Sequence, residues 1–134
     1  AMIVADTNLL IYLYVPSTRT SQAEIVLERD PLWIAPLLWR SEFRNTLMGL
    51  IRQGTLSLDT TLQIARQAEV WMLGREYSVV TDHVLRLASQ SGCSAYDCEF
   101  VGLAEDQELR LVTADRQILK AFPSIAIAID QFIE

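Results

Sequence analysis

The chain has 134 residues, 51% of them hydrophobic and 21% charged, which is the composition of one globular domain spanning residues 1–134. A disordered chain would lack that much apolar surface, and no run of about 18 apolar residues offers a membrane-spanning helix. Seventeen acids against eleven bases give a net charge of −6, so any polyanion must be bound locally, through a few basic side chains or bound cations.

Met2-Ile3-Val4-Ala5 reads as a buried strand. It is not the core of a signal peptide, because it lacks a basic flank and Asp6-Thr7-Asn8 splits the apolar run; a soluble, cytoplasmic protein is expected. Ala1 ahead of Met2 reads as a cloning remnant. A helix from Leu9 to Tyr14 ends at Pro16, and a second short one runs from Gln22 to Arg29. Leu32 to Ala35 is a strand, and Pro36 suits the first position of the next helix, which carries Leu37, Leu38, Phe43, Leu47, Leu50 and Ile51 and stops at Gly54.

Ser57 caps a helix ending at Gly74, Thr81 or Asp82 caps one stopping at Gly92, and Ser94 caps one running to about Glu108. Leu109 to Thr113 is a strand, Arg116 to Ala121 a short helix, and Ile125 to Ile129 a last strand. Strands separated by helices predict a parallel sheet covered on both faces, with the helical stretch from Pro36 to Gly92 forming a hairpin beside it. Cys93 and Cys98 are expected to be packed and reduced, and the lone His83 to be surface or core.

Ligands of parallel sheets bind beyond the carboxyl ends of the strands. Asp6 directly follows the first strand, and Asp115 follows Leu111-Val112-Thr113 with Ala114 between, so both carboxylates emerge on one edge. Taken singly, either is an ordinary helix N-cap, Asp97 completes a capping box with Ser94, and Glu42 is an acid on a solvated helix face. Taken together, four carboxylates at one edge would repel unless cations neutralised them. Oxygen ligands with no His or Cys beside them favour Mg²⁺ or Mn²⁺. No Gly-rich phosphate loop, serine-nucleophile elbow or Cys–His pair competes for the chemistry.

Asp6-Thr7-Asn8, Ser41-Glu42-Phe43-Arg44-Asn45, Ser94-Ala95-Tyr96-Asp97 and Val112-Thr113-Ala114-Asp115 resemble, in order and spacing, the PIN domain, and in particular the VapC-type toxins of toxin–antitoxin pairs. The resemblance implies a three-layer α/β/α sandwich with a parallel central sheet and a metal-dependent endoribonuclease. It maps the family's acidic residues, catalytic and metal-binding, onto Asp6, Glu42, Asp97 and Asp115, and its small polar supporting positions onto Thr7, Asn8 and Thr113. One or two Mg²⁺ or Mn²⁺ ions, an RNA substrate and an antitoxin partner follow. Some members carry a further acid just after the last motif, which Arg116 to Phe122 lacks.

Such ions would lower the pKa of bound water and polarise a phosphate, with Glu42 completing the shell or deprotonating the water. Arg40, Arg44, Arg116 and Lys120 flank the motifs as candidate phosphate contacts. Trp39, Leu50, Trp71 and Met72 are candidates for the antitoxin interface and for a homodimer. Two alternatives stay open: a strand-end-Asp phosphatase or receiver domain, and a catalytically idle module on the same fold.

Overall fold

The computed structural model describes residues 2–134; Ala1, read above as a cloning remnant, lies outside them. The chain runs β1 (Met2–Ala5), α1 (Thr7–Tyr14), α2 (Thr20–Arg29), β2 (Leu32–Pro36), α3 (Trp39–Arg52), α4 (Leu58–Trp71) and β3 (Glu76–Tyr77). It continues with α5 (Thr81–Ser91), α6 (Ala95–Gln107), β4 (Leu111–Thr113), α7 (Arg116–Ala121), β5 (Ala126–Ala128) and α8 (Ile129–Phe132). All strand pairs are parallel, in the order β3-β2-β1-β4-β5.

Because β1 is central, its strand has no water-facing side and reads as a continuous apolar run. Val4, Ala5 and, on either side, Trp33, Ala35, Leu111 and Val112 are completely covered. Helix α6 packs on β1, β2 and β4 with α5 against it, while α1 groups with α2, α3 and α4. The result is the expected three-layer α/β/α sandwich with a parallel sheet. The order turns back at β1: β2 and β3 build outward on one side, and β4 and β5 on the other. Such a switch point opens a crevice at the carboxyl edge.

Several expectations are corrected. Pro36 ends β2 instead of opening a helix, and α3 starts at Trp39. A strand tolerates it because the register with β1 ends at Val4↔Ile34, so its missing N–H leaves no acceptor unfilled. Within the stretch read as a continuous helical hairpin lies β3, entered from the left-handed turn at Gly74 (φ 79°) and held where the Ala35 N–H donates to Arg75 O and the Leu37 N–H to Tyr77 O. Two residues are too few to show alternation.

The last strand is shorter than expected and runs into α8. Helix α5 follows Val80, which offers no side-chain cap, while Ser57, Ser94 and Asp115 cap α4, α6 and α7 through Thr60, Asp97 and Ile118 N–H groups. Both cysteines are free and buried. His83 is engaged in ion pairs, 2.6 Å from Glu105 and 3.0 Å from Asp106, that tie α5 to α6; the Glu105 hydrogen bond raises its pKa.

Trp39 and Met72 are fully buried, Trp71 packs edge-on against Trp33 and Tyr14, and Leu50 is half-buried against the core. These four belong mainly to the domain's own packing. The exposed apolar residues of the same two helices are Met48, Leu58, Leu62 and Val70.

Candidate active site at the carboxyl edge

Strand β1 ends at Ala5, opposite Val112 of β4, so Asp6 emerges at the switch point between the two strands. Its backbone N–H donates to Val112 O at 3.1 Å, fixing the exit direction. The carboxylate caps α1, accepting from the Thr7 N–H at 2.7 Å, and also accepts from the Thr113 hydroxyl across the sheet. It is 7% exposed. Burial pushes its pKa up to about 6, outweighing the hydrogen bonds from Thr113 and Thr7; the charges of Glu42 and Asp115 push the same way.

Thr7 and Thr113 share a supporting role. The Thr7 hydroxyl donates to Glu42 Oε1 at 2.7 Å, bringing α3 to α1 across 35 residues of sequence. Thr113 Oγ1 also accepts from the Asp115 N–H at 2.9 Å, so one buried hydroxyl links two of the acids. Burial raises the Glu42 pKa, and the charges of Asp97, Glu99 and Asp115 add to the rise. Asp97 is raised by burial and then by Asp115.

Asp6, Thr7, Asn8, Glu42, Asp97 and Asp115 line one cavity of ≈ 420 Å³, together with Tyr12, Asn45 and Thr46. The Asn8 amide donates to Asp6 Oδ2 at 3.4 Å, while its Oδ1 is buried without a partner. Four carboxylates and a free amide oxygen make an all-oxygen donor set, which fits a hard divalent cation. As the side chains stand, among the described residues no three His, Cys, Asp or Glu side chains are grouped closely enough to hold a metal ion directly. Mg²⁺ suits such a spread site, since it commonly keeps several waters and takes one or two carboxylates.

The basic residues divide. Arg40 is drawn away from the expected phosphate contact: its guanidinium pairs with Glu76 at 2.5 Å and Glu69 at 3.5 Å. Arg44 reaches Glu69 at 3.3 Å and stays largely exposed. Lys120 is exposed in the last turn of α7. Arg116 lines a separate cleft of ≈ 600 Å³ with Arg19. Arg19 also stacks 4.9 Å above the Tyr12 ring, which lines the acidic cavity. Arg19 lies outside every acidic motif, and only folding brings it into one cleft with Arg116.

Residues 3–123 match the PIN domain family. Ribonuclease VapC3 of Pyrobaculum aerophilum is 30% identical over 128 residues, which cover 92% of this chain and 96% of that protein. The crystal structure of PAE2754 from the same organism aligns with a TM-score of 0.77 at 20% identity, over 99% of this chain and 96% of the other. A toxin–antitoxin complex from Klebsiella pneumoniae aligns with a TM-score of 0.66 at 16% identity, over 95% and 97%. Those two likenesses speak for the fold. The family match spans nearly the whole chain, the relative aligns over 92% of it, and the chain belongs to the PIN domain family.

Proposed function

We propose that this protein is a divalent-metal-dependent endoribonuclease and the toxin of a toxin–antitoxin pair, acting in the cytoplasm. The observation that carries the reading is the cavity at the switch point, lined by Asp6, Glu42, Asp97 and Asp115 together with Asn8, whose amide oxygen has no partner among the described residues. The name of the VapC3 relative supports ribonuclease activity, and the toxin–antitoxin neighbour supports the partner. Membership of the PIN family sets aside the phosphatase and receiver alternatives.

Asp6, Asp97 and Asp115 would hold one or two Mg²⁺ or Mn²⁺ ions with the Asn8 oxygen beside them. When bound there, such an ion would supply positive charge to offset the acids and the charge developing on the phosphate, and would lower the pKa of water. Glu42, raised in pKa by burial and held by Thr7, would accept a proton from the attacking water. Attack at phosphorus breaks the bond to the 3′ oxygen, leaving a 5′-phosphate and a 3′-hydroxyl. Arg116 and Arg19, in the neighbouring cleft, would contact flanking phosphates.

For the antitoxin, the groove of ≈ 330 Å³ between α3 and α4, lined by Leu47, Met48, Ile51, Leu58 and Leu62, offers an apolar seat. The same exposed residues would serve a homodimer.

The test is incubation of the purified chain with mixed RNAs in Mg²⁺, in Mn²⁺ and in excess chelator, with sequencing of the ends. Metal-dependent cuts that vanish in Asp6→Asn are expected. Undiminished cleavage in chelator overturns the metal mechanism, and no cleavage in either metal favours the idle-module alternative.

A further inference from the structure

The first turns of α6 separate two recesses. Asp97 faces the acidic cavity, whereas Ala95 and Glu99, four residues apart on another face of the helix, line a second recess of ≈ 420 Å³. Its walls are Leu37 from the end of β2, Tyr77 and Val79 from the end of β3, and Thr81 at the start of α5. Both recesses therefore open on the carboxyl edge of one sheet, and the Glu99 charge is close enough to act on Glu42.

Glu99 is half-buried at the lining of this recess, and among the described residues no hydrogen bond or ion pair engages its carboxylate. Its two carboxylate oxygens are therefore available to accept hydrogen bonds from a ligand that enters the recess. The Thr7 and Thr113 hydroxyls donate to other carboxylates, Glu42 and Asp6.

We propose that this recess is a nucleobase subsite for RNA held at the acidic cavity, and that Glu99 selects guanine there. The proposal rests on the ribonuclease reading above. A carboxylate presents two acceptors side by side and no donor. Guanine offers two adjacent donors, N1–H and the N2 amine, on its Watson–Crick edge. Adenine and cytosine set a bare ring nitrogen beside their amine, and uracil places one N–H between two carbonyls, so each turns an acceptor toward a carboxylate oxygen. Tyr77, Leu37 and Val79 supply the aromatic and apolar surface on which an unstacked base packs. Sequence recognition of RNA favours such splayed single-stranded bases.

Two measurements test this. First, a random single-stranded RNA pool is cut by the wild-type chain and by Glu99→Gln, and the ends are sequenced. Guanine is expected at one fixed position beside the wild-type cut. In Glu99→Gln, which offers one acceptor and one donor, that preference falls about tenfold, with adenine gaining. Second, the uncleaving Asp6→Asn chain is titrated with a labelled RNA hexamer carrying guanine, or inosine in its place, at successive positions. Inosine lacks the N2 amine, so affinity is expected to drop about tenfold at one position. This arm changes the RNA and leaves the folding of the protein untouched. Equal preferences in both chains, or equal affinities for guanine and inosine at every position, overturn the subsite. Guanine-selective binding without any cleavage by the wild-type chain would overturn the nuclease reading and leave the subsite standing.

Discussion

Burial lifts the Asp6 carboxyl from an ordinary value of 3.8 to about 6, so the folded chain holds this proton over a range where the unfolded chain has released it. The Asp6 contribution to stability of the metal-free protein therefore falls as pH rises from about 4 to about 6, then levels off. Glu42 and Asp97 are shifted in the same direction and add to the fall. Asp6→Asn keeps an N-cap acceptor and removes this charge; the variant should be more stable near pH 7 by on the order of 2 kcal/mol, with a flatter profile in melts across pH. Thr7→Val addresses position instead of charge. It removes the 2.7 Å hydrogen bond to Glu42, and RNA cleavage should fall about tenfold with the fold retained, which a rate assay beside a thermal melt would read. An unchanged rate would show that α3 alone orients Glu42.

Among the elements, β3 is the least self-supporting, and its two residues lie at the sheet edge. Glu76 anchors it by accepting from the buried Trp39 indole at 2.7 Å and from Arg40. Glu76→Ala would strand the indole N–H and leave the Arg40 guanidinium only its contact with Glu69, at a cost of about 1–3 kcal/mol measured by denaturant unfolding. The adjoining recess should be disturbed with it, because Tyr77 forms part of its wall. At the other end of α6, Glu108 caps the helix with φ 55°, a left-handed conformation that favours glycine. Glu108→Gly should raise stability by about 0.5–1 kcal/mol, the relief of backbone strain exceeding the extra freedom of the unfolded chain. A lower melting temperature would mean that the Glu108 side chain stabilises the cap in a way its backbone angle does not reveal.

For the molecule as a whole, a net charge of −6 coexists with an acidic cavity at the sheet edge. Cations that bind the folded form alone should raise its melting temperature, and keep raising it as their concentration climbs past the dissociation constant. Mn²⁺ is expected to stabilise the wild-type chain, and Asp115→Ala much less, in melts with and without the ion. Equal gains would place the ion elsewhere on the surface. The same cavity explains how a negative protein would meet a negative strand: through bound cations and the local Arg19 and Arg116 cleft, without a broad basic face.

Much of this architecture was legible in local sequence. Met2–Ala5 and Leu111–Thr113 are apolar runs in buried central strands, and Ser57, Ser94 and Asp115 bond to backbone N–H groups only three residues away. Such signals lie within one window of sequence, so the alternation of strand and helix and the strand-end placement of Asp6 and Asp115 could be read directly. The pairing of Arg40 with Glu76 spans 36 residues, that of Thr7 with Glu42 spans 35, and that of Thr113 with Asp6 spans 107. No local pattern encodes those partners. Tertiary packing therefore decided which arginines remain available, that Trp39 and Met72 lie in the core, that Glu76–Tyr77 is a strand, and that Glu99 faces a recess beside the acids. Each depends on which distant surface arrives opposite a side chain, a question answered only when the layers close on the sheet.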